Sequence, residues 1–295
     1  MRADWPNTQN RFCSVISVNA KPVVMFKPTR LAIATAAIVA LVACSPKTQT
    51  ATPVASTATV TPLFATPNTA DLVQDLLTQY AQLSIDASFA FDSVPYSQLA
   101  TNVTHEDALY FVSHHRPNDP NLWSAPLALD GIVAITNPRN PVETLTTAQF
   151  RQIYQGFLMN WSEAGGTDAP ITLYSRETGS AIRAEFDRLV MGQRVTSPNA
   201  QIVPSTQAAI ERVTHDTNGI AYAPLSQLDG TLKVLAIDDV VPNVQTITSQ
   251  IYPLRSTIFI VGPSEPLEPL ASFISWIQSE DGQAIVSERF ISLFN

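Results

Sequence analysis

The chain has 295 residues, with 17 Lys and Arg against 25 Asp and Glu, a formal net charge of −8 at pH 7. Removing the five basic residues and one acidic residue of positions 1–44 leaves 12 against 24. So acidic a surface argues against nucleic acid or anionic lipid as partners, but not against a small anion, because surface fields are screened over roughly 8 Å and local donors can outweigh them. Both cysteines, Cys13 and Cys44, precede the expected folded part, so neither a disulfide framework nor a thiolate metal site is available to it.

Leu31 to Ala43 is apolar apart from Thr35 and runs into Leu41-Val42-Ala43-Cys44, a lipobox. The run falls short of the roughly 20 apolar residues a spanning helix needs, and Lys27 and Arg30 precede it as in a signal-peptide n-region. Residues 1–44 are therefore expected to be an N-terminal extension plus a lipoprotein signal peptide, with translation starting at Met25 and Cys44 carrying the lipid. That makes the protein extracytoplasmic and membrane-anchored, away from cytosolic ATP and NAD. Residues 45–60, rich in Ser, Thr, Pro and Ala without an apolar period, bury too little to offset their ordering entropy and read as a tether.

Beyond the tether the pattern alternates as in an α/β fold. A strand is expected over Thr59–Ala65. Thr66-Pro67-Asn68-Thr69 then supplies helix-start chemistry before a helix that places Leu72, Leu76, Leu77 and Tyr80 on one face. Ser88–Phe91 reads as a strand and Val94–Leu99 as the start of a helix. Ala108–Ser113 and Gly131–Thr136 have the length and apolarity of strands. Leu145–Tyr154 is a capped amphipathic helix, with Gly156 placed for a left-handed end. A strand over Ile171–Tyr174 precedes a helix over Thr178–Met191, with Ile182, Phe186, Leu189 and Val190 facing inward. Gly219–Tyr222 and Ser256–Val261 are further strands, and one helix is expected over Leu270–Val286.

Four of these segments fall in the order and spacing of one family. They are Asp130 to Gly166, with its Leu145-Thr146, Gly156 and Asn160-Trp161-Ser162 elements; Tyr174-Ser175-Arg176-Glu177-Thr178-Gly179-Ser180; Gly219-Ile220-Ala221-Tyr222; and Phe273 to Gln283. Over residues 125–295 the chain resembles the phosphate-binding proteins of bacterial ABC importers, within the type II periplasmic-binding-protein superfamily. The resemblance implies a two-lobed α/β fold with a ligand cleft: residues 61–134 and 252–295 as lobe I, 135–251 as lobe II, and a hinge near Ile132–Thr136 and Pro253–Val261. It further implies a monomer that captures phosphate or a related tetrahedral oxyanion and delivers it to ABC permease subunits, with no catalysis, cofactor or metal.

On the residues themselves, Arg176 to Ser180 is the anion candidate. A strand-to-helix turn presents free amides and the positive helix end, Arg176 can give two charge-assisted hydrogen bonds, Gly179 permits close approach and Ser180 adds a hydroxyl. The competing reading is an ordinary turn with Ser180 as N-cap and Arg176 in a surface ion pair. The family's usual Ser-Gly-Thr continuation is here Ser180-Ala181-Ile182, which keeps the Ala181 and Ile182 amides and loses one hydroxyl. Such a loss costs about 1–3 kcal/mol where its partner is left buried. By the resemblance, lobe I supplies Thr66, Asn68 and Thr69, then Ser93, then Ser113. Where the family carries an aspartate that accepts the proton of hydrogen phosphate, this chain reads Phe111-Val112-Ser113-His114-His115-Arg116. The alternative is therefore a divergent sensor or interaction module of the same fold that no longer binds phosphate. His114-His115 is expected to be a solvated loop pair, since neighbouring strand residues point to opposite faces and no ligand spacing surrounds them. Trp161 and Trp276 are expected to pack, and Asp238-Asp239 to form a solvated turn. No Gly-x-Ser-x-Gly or nucleotide-phosphate loop is present to support a hydrolase.

Overall fold

The structure is a computed structural model that describes residues 60–83, 87–103 and 109–294. The signal peptide, Cys44, nearly all of the tether and His105 lie outside the described residues. The first half alternates strand and helix: β1 (Thr61–Ala65), α1 (Ala70–Leu83), β2 (Phe89–Ser93), α2 (Tyr96–Asn102) and β3 (Tyr110–Ser113). A 14-residue strand, β4 (Trp123–Thr136), leads into β5 (Thr144–Leu145), α3 (Thr147–Gln155), β6 (Thr172–Arg176) and α4 (Ala181–Phe186). After β7 (Gln201–Val203) come α5 (Thr206–His215), β8 (Gly219–Pro224), β9 (Lys233–Val234), β10 (Ala236–Ile237) and α6 (Val244–Thr248). The chain closes with β11 (Arg255–Gly262), α7 (Leu270–Ile277) and α8 (Glu280–Val286).

The strands line up as β2-β1-β3-β11-β4-β8-β6-β7, with β9 also on β4, and β5 pairs with β10 separately. Strands joined by helices, such as β1 with β2 and β6 with β7, run parallel, as crossover connections require. β11 returns antiparallel between β3 and β4. β4 belongs to both halves: Trp123–Gly131 pairs with β11 and Ile132–Thr136 pairs with β8. One apolar core gathers α1, β3, β11, α7 and α8 around Leu76, Ile260 and Phe273. Another gathers the second half of β4 with α3, β6 and β8 around Ile135, Phe150 and Tyr222. Between them Tyr96, Leu99, Phe111 and Val261 meet Ala181 of α4. The fold is the expected mixed α/β arrangement of two lobes.

Local chemistry explains most of the elements. Leu72, Leu76, Leu77 and Tyr80 form the buried face of α1. α3 begins with a Thr146–Gln149 capping box and ends at Gly156 with φ 76°. Trp161 is buried, and Asp238-Asp239 is an exposed turn with both φ values positive. Three expectations need correction. The helix expected from Thr178 starts at Ala181, because Gly179 at φ 101° breaks the helical path and Ser180 caps it; it then widens into a π-turn over Asp187–Met191. The single C-terminal helix is two, since Ser279 caps α8 by accepting from the Gly282 amide. At Gly282 a Cβ would lie 2.2 Å from the Trp276 carbonyl, so glycine lets α8 fold back against α7. His114-His115 is not solvated: His114 is 1% exposed, with Nε2 3.0 Å from Asp130, and His115 Nδ1 lies 2.9 Å from Glu185.

Candidate functional site

A cavity of about 550 Å³ opens where the β6–α4 turn faces the starts of α1, α2 and α5. Arg176 ends β6 and is 4% exposed. Its backbone amide donates to the Tyr222 hydroxyl at 3.0 Å, and its carbonyl accepts from Arg183 Nη1 at 3.2 Å, so the turn is anchored from behind. Burial pushes the Tyr222 phenol up to about 12 against smaller opposing effects of Ser175, Arg183 and the Arg176 amide, and the hydroxyl stays neutral at any ordinary pH. The guanidinium grips Glu177 through Nε and Nη2, both at 2.9 Å, and donates from Nη1 to Thr206 Oγ1 at 2.8 Å. Arg176 is thus neither a free surface cation nor a fully uncommitted one. Its ion pair is with the next residue, and part of its donor edge remains unspent.

Gly179 shows why the turn must be glycine. Its φ is 101°, and a Cβ there would sit 2.9 Å from the Ser97 side chain, while the Ser97 amide donates to the Gly179 carbonyl at 3.1 Å. The turn therefore lies directly on the start of α2. Ser180 Oγ accepts from the Arg183 amide and keeps its own proton to give. Ala181 lines the cavity and Ile182 is buried in the core with Phe186.

Opposite, Asn68 lines the cavity and ties the halves together. Its amide nitrogen donates to Thr206 Oγ1 at 2.9 Å and to Gln227 Oε1 at 2.7 Å, and Gln227 returns a bond to the Asn68 carbonyl. Thr66 and Thr69 sit beside it but turn inward: Thr69 Oγ1 donates to the Val112 carbonyl at 2.9 Å, and the two hydroxyls lie 3.2 Å apart. Both are fully buried and neither lines the cavity. Ser93 is exposed, with its amide held by Asp92, and Ser113 is buried, accepting from the His115 amide. Of the ten residues expected to bind ligand, Arg176, Gly179, Ser180, Ala181 and Asn68 line the cavity; Ile182, Thr66, Thr69, Ser93 and Ser113 do not.

Sequence reasoning missed Thr206, Ser226, Gln227 and Tyr96, all in the cavity wall. Thr206 had a visible signal, Ser205-Thr206 opening an amphipathic helix, with Ser205 as its N-cap. Ser226 donates to Asp130 Oδ2 at 2.6 Å, the carboxylate that also meets His114. Next to this network, Glu185 of α4 accepts from His115, Arg188 and Ser256. Burial pushes Glu185 up, but hydrogen bonds from Arg188 and His115 outweigh it and hold the carboxyl down at about 2. The described residues hold no group of three or more His, Cys, Asp and Glu arranged to bind a metal, and no helix long and apolar enough to cross a membrane.

The family model of a PBP superfamily domain matches residues 53–281. Among curated proteins, the chain is 28% identical over 166 residues to the phosphate-binding protein PstS of Bacillus subtilis, covering 55% of each. It is 34% identical over 136 residues to phosphate-binding protein PstS 2 of Streptococcus agalactiae, covering 42% of this chain and 46% of that one. The chain spans about half the length of the curated relatives it matches. Among solved structures, a phosphate ABC transporter substrate-binding protein from Clostridium perfringens, with bound phosphate, superposes with a TM-score of 0.71 at 27% identity. That superposition covers 79% of this chain and 99% of the other.

Proposed function

Because the chain belongs to the PBP superfamily, we propose that it is a solute-binding protein that captures phosphate or a related tetrahedral oxyanion for an ABC importer. One observation carries this reading: a guanidinium almost wholly removed from water, that of Arg176, faces a cavity between two halves of the fold. Glu177 already balances its charge, and the N–H groups that Glu177 and Thr206 leave unused are the donors an oxyanion would take. Thr206, Ser180 and the first-turn amides of α4 stand beside it as neutral donors. Tetrahedral oxyanions suit such a set, since each oxygen accepts from several directions.

The proposed working parts are lobe I, residues 61–134 and 252–295, and lobe II, residues 135–251. The cleft closes when ligand contacts from both become available together, which favours the closed state by differential binding. The Asn68 bonds to Thr206 and Gln227 would add direct contacts between the two parts in that closed state. The protein performs no bond chemistry and needs no cofactor. Leu41-Val42-Ala43-Cys44 supports an extracytoplasmic lipoprotein tethered through Cys44, working as a monomer beside permease subunits. Titration calorimetry of the full chain tests the central claim. Micromolar or tighter binding of an oxyanion, abolished in Arg176→Ala, is expected; no heat with phosphate, sulfate, molybdate or tungstate overturns it.

A further inference from the structure

The proton of each hydroxyl around the cavity can be assigned from its partners. Thr206 Oγ1 already accepts two hydrogen bonds, from Asn68 at 2.9 Å and Arg176 at 2.8 Å, so its own proton is left to donate. Ser180 Oγ accepts from the Arg183 amide and is likewise a donor. Tyr96 also lines the cavity and is 9% exposed. Burial, then the charge of Glu185, pushes that phenol up to about 12, so it keeps its proton. Thr206 and Ser180 line the cavity with Arg176 and form its anion-binding pole.

The remaining wall has the opposite character. Ser226 spends its proton on Asp130 at 2.6 Å and offers only lone pairs. Glu177 and Asp71 also line the cavity, and a carboxylate only accepts. Glu177 lies on the Arg176 guanidinium, and Arg289 is held by Asp75 with Asp71 a further 3.9 Å neighbour, so neither cation in the wall lacks a carboxylate. A bare dianion would leave those acceptors facing like charge. Pro67, Pro95 and Pro204 supply apolar surface.

Size allows a ligand larger than the bare anion. The cleft, about 550 Å³ before any closure, lies within the roughly 300–1,000 Å³ of organic-ligand sites, so an arm beyond the five heavy atoms of the oxyanion fits. We infer that the cavity takes a phosphate or phosphonate monoester whose short organic arm ends in a hydroxyl or ammonium donor, the oxyanion at Arg176, Thr206 and Ser180 and the donor at Glu177 and Ser226. This rests on the oxyanion reading above and deepens it.

The test is calorimetry of the full chain with inorganic phosphate, methyl phosphate, glycerol 3-phosphate and phosphoethanolamine. The last two bind at least tenfold tighter than the first two, and Glu177→Gln reduces that advantage to less than threefold, with a thermal melt confirming that the variant is folded. Inorganic phosphate binding as tightly as the donor-bearing esters overturns the inference while leaving the oxyanion reading standing. Methyl phosphate matching phosphoethanolamine and glycerol 3-phosphate overturns it too, by removing the role of the donor. Silence from all four overturns both readings. The comparison among ligands on the unaltered chain decides the matter even if the variant does not fold.

Discussion

The two walls of the cleft start from similar chemistry and use it in opposite ways. At the β6–α4 turn, the backbone of Arg176 is pinned by Tyr222 and Arg183, which frees the guanidinium to face the cavity. At the start of α1, Thr66 and Thr69 have the same small hydroxyls beside a helix start, yet both are consumed behind it, against each other and the Val112 carbonyl. Only Asn68 between them reaches across. A hydroxyl at a helix start serves a ligand only where the surrounding scaffold satisfies its own polar groups by other means.

The sharpest way to break this contrast is Arg176→Ala. Removing the guanidinium should weaken oxyanion binding at least a hundredfold, since charge-assisted bonds contribute about 1.5–3 kcal/mol each, and calorimetry reads it directly. A second probe strikes the scaffold instead. Glu185 is 2% exposed and its folded carboxyl titrates at about 2 rather than at 4.5. The unfolded chain therefore takes up this proton first as pH falls, and the stabilisation, roughly 3 kcal/mol, is complete above pH 4.5 and disappears towards pH 2. Chemical unfolding across that window should show the loss, and Glu185→Gln should flatten it. Thr206→Val keeps shape and deletes the hydroxyl that both Asn68 and Arg176 use; about tenfold weaker binding is expected, near 1.4 kcal/mol. The smallest effect belongs to Thr69→Val. It should lower stability by about 1 kcal/mol and shift affinity less than twofold, and a tenfold loss of affinity there would erase the distinction between the walls.

Where local chemistry decides, the sequence was readable. The α1 stripe, the Thr146–Gln149 box with Gly156, and the turn through Arg176 and Gly179 each carry their instructions within a few residues. Asn68 was reached through the resemblance, together with Thr66 and Thr69 of the same turn, which do not line the cavity. What stayed hidden depends on pairings across the fold. Nothing near His114 or His115 in sequence announces Asp130 or Glu185, which lie 16 and 70 residues away. Tyr96, opening α2, and Ser226, just past β8, come together only as parts of one cavity wall. The break before α8 was missed because apolar residues recur from Phe273–Ile277 on to Ile285, while the close approach at Gly282 is a matter of backbone contact.

β4 has a mechanical consequence. Its registers with β11 and β8 meet at Gly131 and Ile132, where the Ile132 amide also donates to the Leu254 carbonyl at 3.0 Å, so the proposed swing of one half on the other would concentrate its twist at that junction. Asp130, adjoining that pivot, holds Ser226 from one half and His114 from the other. In the proposed closure, a change at that pivot would reach Ser226 in the cleft wall through a single carboxylate.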